Sequence, residues 1–187
     1  MRASRSGRLL RAAAGVVVLA ALVPLASGCS LTSQPVPGCG AIQRLGLVAQ
    51  SVPTAAYIPC LNPLPPGWRA SGFQAASGHS QFSLRSNLAP GQPVLVRLEA
   101  ACDFAGATAT TPRGPGVSTY TKLRTISPRY SGTLIDVFPG GCVTYQFNFQ
   151  RGPHIALIEN FESAVALYPR QQLAVELHNR LGITLGP

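Results

Sequence analysis

The chain has 187 residues, with fifteen Lys and Arg against six Asp and Glu, and charged residues make up only 11% of it. Hydrophobic residues at 46% let one domain hold a real core. Nineteen glycines and seventeen prolines exclude a mainly helical architecture, because interior prolines break helices and central strands, and short strands with many turns are expected instead.

Met1 to Arg11 carries Arg2, Arg5, Arg8 and Arg11 and no acid. Ala12 to Val23 is an unbroken run of small and aliphatic residues, too short for the ~20 residues of a membrane-spanning helix. Pro24 stops it, and Leu25-Ala26-Ser27-Gly28-Cys29 follows. Basic, apolar and small segments in that order make residues 1–28 a secretory signal peptide. The cysteine behind three small residues resembles a bacterial lipobox, with Ala26 where leucine is usual. That resemblance implies cleavage before Cys29 and acyl chains, palmitate among them, on Cys29. The alternative is an ordinary cleaved signal with a spare thiol at position 29.

Residues 29–38 read as a lipidated tether without periodicity, and residues 39–187 as a single extracytoplasmic domain. Setting Cys29 aside leaves an even set, Cys39, Cys60, Cys102 and Cys142, which an exported chain can oxidise. Three connectivities are open. Cys39–Cys60 with Cys102–Cys142 is the pairing expected, since the second bridge joins the end of one apolar strand to the start of another. With no Cys-x-x-Cys pair and no His at zinc spacing, neither a metal nor a cofactor is expected.

In chain order, Ala41 to Gln50 predicts a short helix and Tyr57 to Leu61 an edge strand. Asn62 to Trp68 predicts a rigid turn anchored by Trp68. Strands are expected over Gln81–Arg85, Pro93–Ala101, Tyr120–Ile126, Gly132–Phe138 and Cys142–Gln150, with turns at Ala89-Pro90-Gly91 and Pro139-Gly140-Gly141. Gly106 to Ser118 reads as a mobile polar loop. Further strands are expected within Ile155–Ile158 and Ala164–Leu167. Leu173, Leu177 and Leu181 recur every four residues after Pro169 and before Gly182, which predicts a C-terminal helix. The sum is an α+β domain: six to eight short strands in a mostly antiparallel sheet, a short N-terminal and a C-terminal helix packed on it, and two disulfides.

Pro59-Cys60-Leu61 with Pro65-Pro66-Gly67-Trp68, and the run from Phe138 to Phe147, together with the lipobox-like start, resemble secreted lipoproteins of actinobacteria with no assigned function. The likeness covers about the middle two-thirds of the chain. It implies an envelope location, lipid-anchored on the extracytoplasmic side of the cell membrane, and no activity.

Chemistry is sparse. No Gly-x-Ser-x-Gly elbow or phosphate-binding glycine loop is present. His79, His154 and His178 fall in different elements, and His79 and Ser80 point to opposite faces of a strand. No catalytic residue is assigned. The feature with chemical content is basic. Arg85, Arg97, Lys122 and Arg124 fall on the polar faces of their strands, with Arg129 and Tyr130 at the next turn. Together they would form a cationic sheet face able to hold phosphate or carboxylate. The expectation is a non-enzymatic, membrane-tethered envelope protein. Its partners would be anionic lipid head groups, wall polymer or an envelope protein, not nucleic acid. The alternative is an extracytoplasmic hydrolase whose site is assembled from distant residues.

Overall fold

The structure is a computed structural model that describes residues 35–89 and 93–186. The expected signal peptide, Cys29, most of the expected tether and the turn residues Pro90 and Gly91 lie outside the described residues. Thr32–Pro187 forms one compact unit, and both disulfides and the whole core cluster lie within it.

The fold is α+β. The elements run α1 (Ile42–Ser51), β1 (Tyr57–Leu61), β2 (Trp68–Ala76), β3 (His79–Ser86), β4 (Val94–Glu99), β5 (Thr108–Thr110), β6 (Ser118–Thr125), β7 (Tyr130–Phe138), β8 (Gly141–Phe149), α2 (His154–Ala164), β9 (Val165–Pro169) and α3 (Arg170–Leu181). Seven strands form one sheet in the order β2-β3-β4-β8-β7-β6-β5, with every neighbour antiparallel. β1 and β9 make a separate antiparallel pair.

Alternation decides which face is buried. On β8, Val143, Tyr145, Phe147 and Phe149 point inward and are buried, while Gln146 on the other face is exposed. Phe82 and Leu84 of β3 and Val94, Val96 and Leu98 of β4 continue the inner face. The three helices and the β1–β9 pair supply the layer over it: Leu45, Ile58, Leu157, Phe161, Leu173 and Leu177 all join the same core. Pro139-Gly140 closes the β7–β8 hairpin, with Phe138 paired to Gly141. Gly140 sits at φ 71°, and a Cβ there would come within 1.9 Å of the Thr54 oxygen, so only glycine fits.

Both disulfides join the expected partners. Cys39–Cys60 ties the chain start to β1, and Cys102–Cys142 ties the β4–β5 connection to the start of β8. They span 21 and 40 residues, so each contributes about 3–4 kcal/mol by restricting the unfolded chain. β4 and β5 are separated by β8, β7 and β6, and their connection crosses the outer face near one end of the sheet. There Phe104 stacks on Tyr120 at 4.8 Å, and the Lys122 Nζ donates to the Ala105 carbonyl at 2.7 Å.

Four expectations need correction. Ile155–Ile158 is the start of α2, not a strand: Leu157, Phe161 and Ala164 are its buried residues, spaced four and three apart as one helix face requires. What was missed is the strand after the Asn62–Trp68 turn: Trp68, buried in the core and closing that turn by donating its N–H to the Pro65 carbonyl at 3.1 Å, also opens β2, a nine-residue strand. Residues 106–118 are not a free loop, since they contain β5 and, beyond it, the pinned Arg113 described below. Leu181 is exposed at the end of α3, where Gly182 at φ 66° turns the chain, so only Leu173 and Leu177 pack inward.

Candidate functional site

The structure holds two concentrations of polar chemistry. The first is interior. Asp136 on β7 is completely buried, with Thr119 on β6 and Tyr145 on β8 beside it. Thr119 donates its hydroxyl to Oδ1 at 2.9 Å, and Tyr145 donates its phenol proton to Oδ2 at 3.0 Å. Arg113 reaches in from the 111–117 loop. Its Nη1 donates to Asp136 Oδ2 at 2.7 Å and to the Tyr145 oxygen at 2.6 Å. Its Nη2 donates to the carbonyls of Glu162, in the last turn of α2, and of Val165, at the start of β9, the latter at 2.6 Å. Burial alone lowers the Arg113 pKa, but the Tyr145 and Asp136 oxygens more than offset it and the net shift is upward. Burial drives the Tyr145 phenol far above its ordinary range, so it stays a neutral donor.

Tyr, Asp and Arg within bonding distance resemble a reactive constellation, but the geometry does other work. Every Asp136 oxygen has a donor, and the carboxylate is completely shut off from solvent. Arg113 separates two clefts, of about 870 Å³ beside Leu123, Tyr130 and Ile158 and about 800 Å³ beside Tyr57, Glu159 and Val165. The cluster fastens a loop, three strands of the sheet, a helix end and β9 into one unit. His79 lies on the outer face of β3, His154 begins α2 and His178 lies on α3. Among the described residues none of the three bonds through its ring to a serine, a cysteine or a carboxylate. No group of three or more metal-ligating side chains occurs among the described residues.

The second concentration is at the surface. Register places the end of β3, the start of β4, the end of β6, the start of β7 and the end of β8 at one end of the sheet. Arg85 is near the end of β3 and stands directly opposite Arg69 of β2. Arg124 sits in the β6 irregularity between Leu123 and Thr125, and Arg129 lies in the turn that follows. Arg151 follows β8. All five are exposed, and among the described residues none of their side chains makes a hydrogen bond or an ion pair. The acids lie elsewhere. Glu99 and Asp103 are toward the opposite end, beside Cys142, and Asp136 is interior. Glu159, Glu162 and Glu176 lie on the later turns of α2 and on α3.

The expected basic face is therefore reshaped rather than reproduced. Arg85, Arg124 and Arg129 come to this end. Arg97 lies further along the outer face, and the Gln81 Oε1 accepts from its Nε and Nη2 at 3.2 and 3.1 Å while Glu99 pairs with it at 3.5 Å. Lys122 is occupied under the crossing connection. Tyr130 points to the inner side instead, stacked on Phe147 at 5.7 Å and on His154 at 5.1 Å. Sequence reasoning missed Arg69 because it missed β2. It missed Arg151 although Gly152-Pro153 marks a turn there. Between β3 and β6 lie three strands, so Arg85 and Arg124 stand ~19 Å apart at strand spacing. They cannot clasp one phosphate together, and the set suits an extended anionic surface. On the outer face beside them is a shallow depression of about 460 Å³, lined by Ser83, Leu95, Arg124, Thr133 and Gln146 among others.

No protein-family model matches this chain, and neither a curated protein nor a solved structure shows significant similarity to it.

Proposed function

We propose that this chain is an exported envelope protein, held to the membrane through Cys29, that engages an extended anionic component of the envelope with the arginine-bearing end of its sheet. The observation that carries the reading is the segregation of charge: Arg69, Arg85, Arg124, Arg129 and Arg151 gather at one end with no side-chain partner among the described residues, and the six acids lie away from it. Arg69 and Arg85 face each other across the β2–β3 ladder, where like charges are destabilising, and a bound anion relieves that repulsion. The cysteine inventory supports the anchor. Two disulfides use four of the five cysteines and leave Cys29 alone beside the signal. No helix of the described residues is long and apolar enough to cross a membrane, and acyl chains on a single residue would provide stable attachment.

The chain from residue 29 with Cys29→Ser holds the entire described domain and tests the reading in solution. It is expected to bind polyphosphate or vesicles containing phosphatidylglycerol, to ignore phosphatidylcholine vesicles, and to lose affinity steeply as salt rises. Arg85→Glu with Arg124→Glu is expected to weaken binding at least ten-fold. Equal binding to neutral and anionic partners, or indifference to salt, overturns the reading.

A further inference from the structure

Three connections meet at the arginine-bearing end, and each raises an apolar residue into solvent. Leu88 between β3 and β4 is 54% exposed, Ile126 between β6 and β7 is 69% exposed, and Ile155 at the start of α2 is 74% exposed. The connections lie side by side. A Cβ on Gly152 would come within 2.9 Å of the Leu88 carbonyl oxygen, so the β8–α2 turn runs against the β3–β4 turn. Tyr130, the first residue of β7, stacks on His154 at 5.1 Å, so the start of β7, just after the β6–β7 turn, lies against the first turn of α2. Strand order thus places the connections bearing Leu88, Ile155 and Ile126 in succession across this end, with Arg151 four residues before Ile155 in the chain and Arg124 and Arg129 two before and three after Ile126.

From this juxtaposition we infer that the end is a bilayer-docking tip: Leu88, Ile126 and Ile155 enter the head-group and acyl boundary of an anionic phospholipid membrane while the arginines hold its phosphates. The inference rests on the proposed function and narrows it, since it names the lipid surface rather than wall polymer as the partner. Exposed aliphatic side chains add little to contact with a hydrated polyanion. In a membrane interface they add the transfer of apolar surface out of water to the electrostatic attraction. Both requirements are met at this end by residues only a few positions apart in the chain. A lipid on Cys29 would keep the domain beside the bilayer, so that even a weak tip contact is an intramolecular event at high effective concentration.

Ile155→Trp in the Cys29→Ser chain supplies a reporter, because Trp68 is buried in the core. On phosphatidylglycerol-containing vesicles the new indole is expected to shift to the blue and to be quenched by brominated acyl chains, with the Trp68 emission of the parent unquenched. Ile126→Ser with Ile155→Ser is expected to keep the melting temperature and to weaken vesicle partitioning about a hundred-fold, roughly ten-fold per isoleucine. The same pair is expected to leave polyphosphate binding unchanged. Each arginine replaced by glutamine is expected to weaken both interactions, by about five-fold on vesicles. If the chain binds polyphosphate or vesicles but bromine does not quench the indole and the isoleucine pair costs nothing, the tip inference falls and the anionic-surface reading stands. If it binds neither, both fall.

Discussion

Arginine does two different things in this molecule, and the surroundings decide which. Arg113 is folded under a loop, and its two terminal nitrogens reach a carboxylate, a phenol and two main-chain carbonyls. At the end of the sheet Arg69, Arg85, Arg124, Arg129 and Arg151 stand exposed with no protein partner among the described residues. A desolvated guanidinium needs every donor satisfied, and a network that meets this need joins elements far apart in sequence. Exposed guanidiniums with acids kept away from them leave their donors to solvent. The same side chain is thus a fastener in one place and, under the proposed function, would be an outward-facing receptor in the other.

The sharpest way to break that contrast is to remove the fastener. Arg113→Leu leaves Asp136 buried with its Oδ2 short of its strongest donor, and the α2 and β9 carbonyls lose theirs. Losing one partner of a buried ion pair costs about 3–5 kcal/mol, or ~10 °C in melting temperature for a domain of this size. Arg113→Leu combined with Asp136→Leu is expected to recover much of the loss, since no uncompensated charge remains. Thermal unfolding followed by circular dichroism measures both. An Arg113→Leu protein that melts with the wild type would mean that the interior network holds nothing together. The same variant is expected to keep its anionic-surface affinity when assayed folded, well below its melting temperature.

The two regions also differed in how far the sequence announced them. Alternation in Cys142–Gln150 specified β8 to within a residue at each end; the cysteine count pointed to two bridges, and of the three open connectivities the one expected from the strand ends is the one observed. Leu173 and Leu177 marked α3. Arg113 could not be foreseen. It sits in a Gly/Pro-rich stretch with no periodicity, and its partners are 23 to 52 residues away. Nothing local distinguishes it from an arginine in water. The start of α2 was misread because Ile-Ala-Leu-Ile is an apolar run that fits a buried strand or a helix equally, and Phe161 and Ala164, which decide the matter, lie beyond it. The surface set was half legible. The outward faces of β3 and β6 follow from alternation, so Arg85 and Arg124 could be placed. The register between strands could not, and it sets Arg97 and Lys122 part-way along theirs while bringing Arg69 and Arg151 to the end where Arg85 and Arg124 lie.

A smaller effect separates charge tolerance in the two regions. The carboxyl of Glu162 is half-buried at the edge of the Arg113 network, and its pKa is raised. Burial is the main cause, Arg113 opposes it, and Asp136 and Glu159 add to it. A carboxyl whose folded pKa lies above its unfolded one binds its proton more tightly in the folded state. Its ionisation therefore removes stability as pH rises from the ordinary carboxylate value through the raised one, and the loss is complete above both. Glu162→Gln is expected to raise the melting temperature slightly at about pH 7 and to leave it unchanged at about pH 3, where both proteins carry an uncharged group. A variant that loses stability at neutral pH would show that the ionised Glu162 supports Arg113 rather than straining the fold.

The smallest expected change bears most directly on the surface arginines. Arg69 and Arg85 lie opposite each other in the β2–β3 register, on the exposed face. Like charges in that position are destabilising, and replacing one of them is worth a few tenths of a kcal/mol up to ~1 kcal/mol. Arg69→Thr removes the repulsion and puts a residue favoured in strands on the outer face of β2, so it is expected to raise the melting temperature by ~1–2 °C. It is expected at the same time to weaken binding to anionic vesicles several-fold. The two readouts move in opposite directions only if the pair serves an external anion at the expense of the fold. If Arg69→Thr stabilises the domain and leaves anion binding untouched, the opposed arginines are a flaw of the sheet, and the receptor must be assigned to Arg124, Arg129 and Arg151 alone.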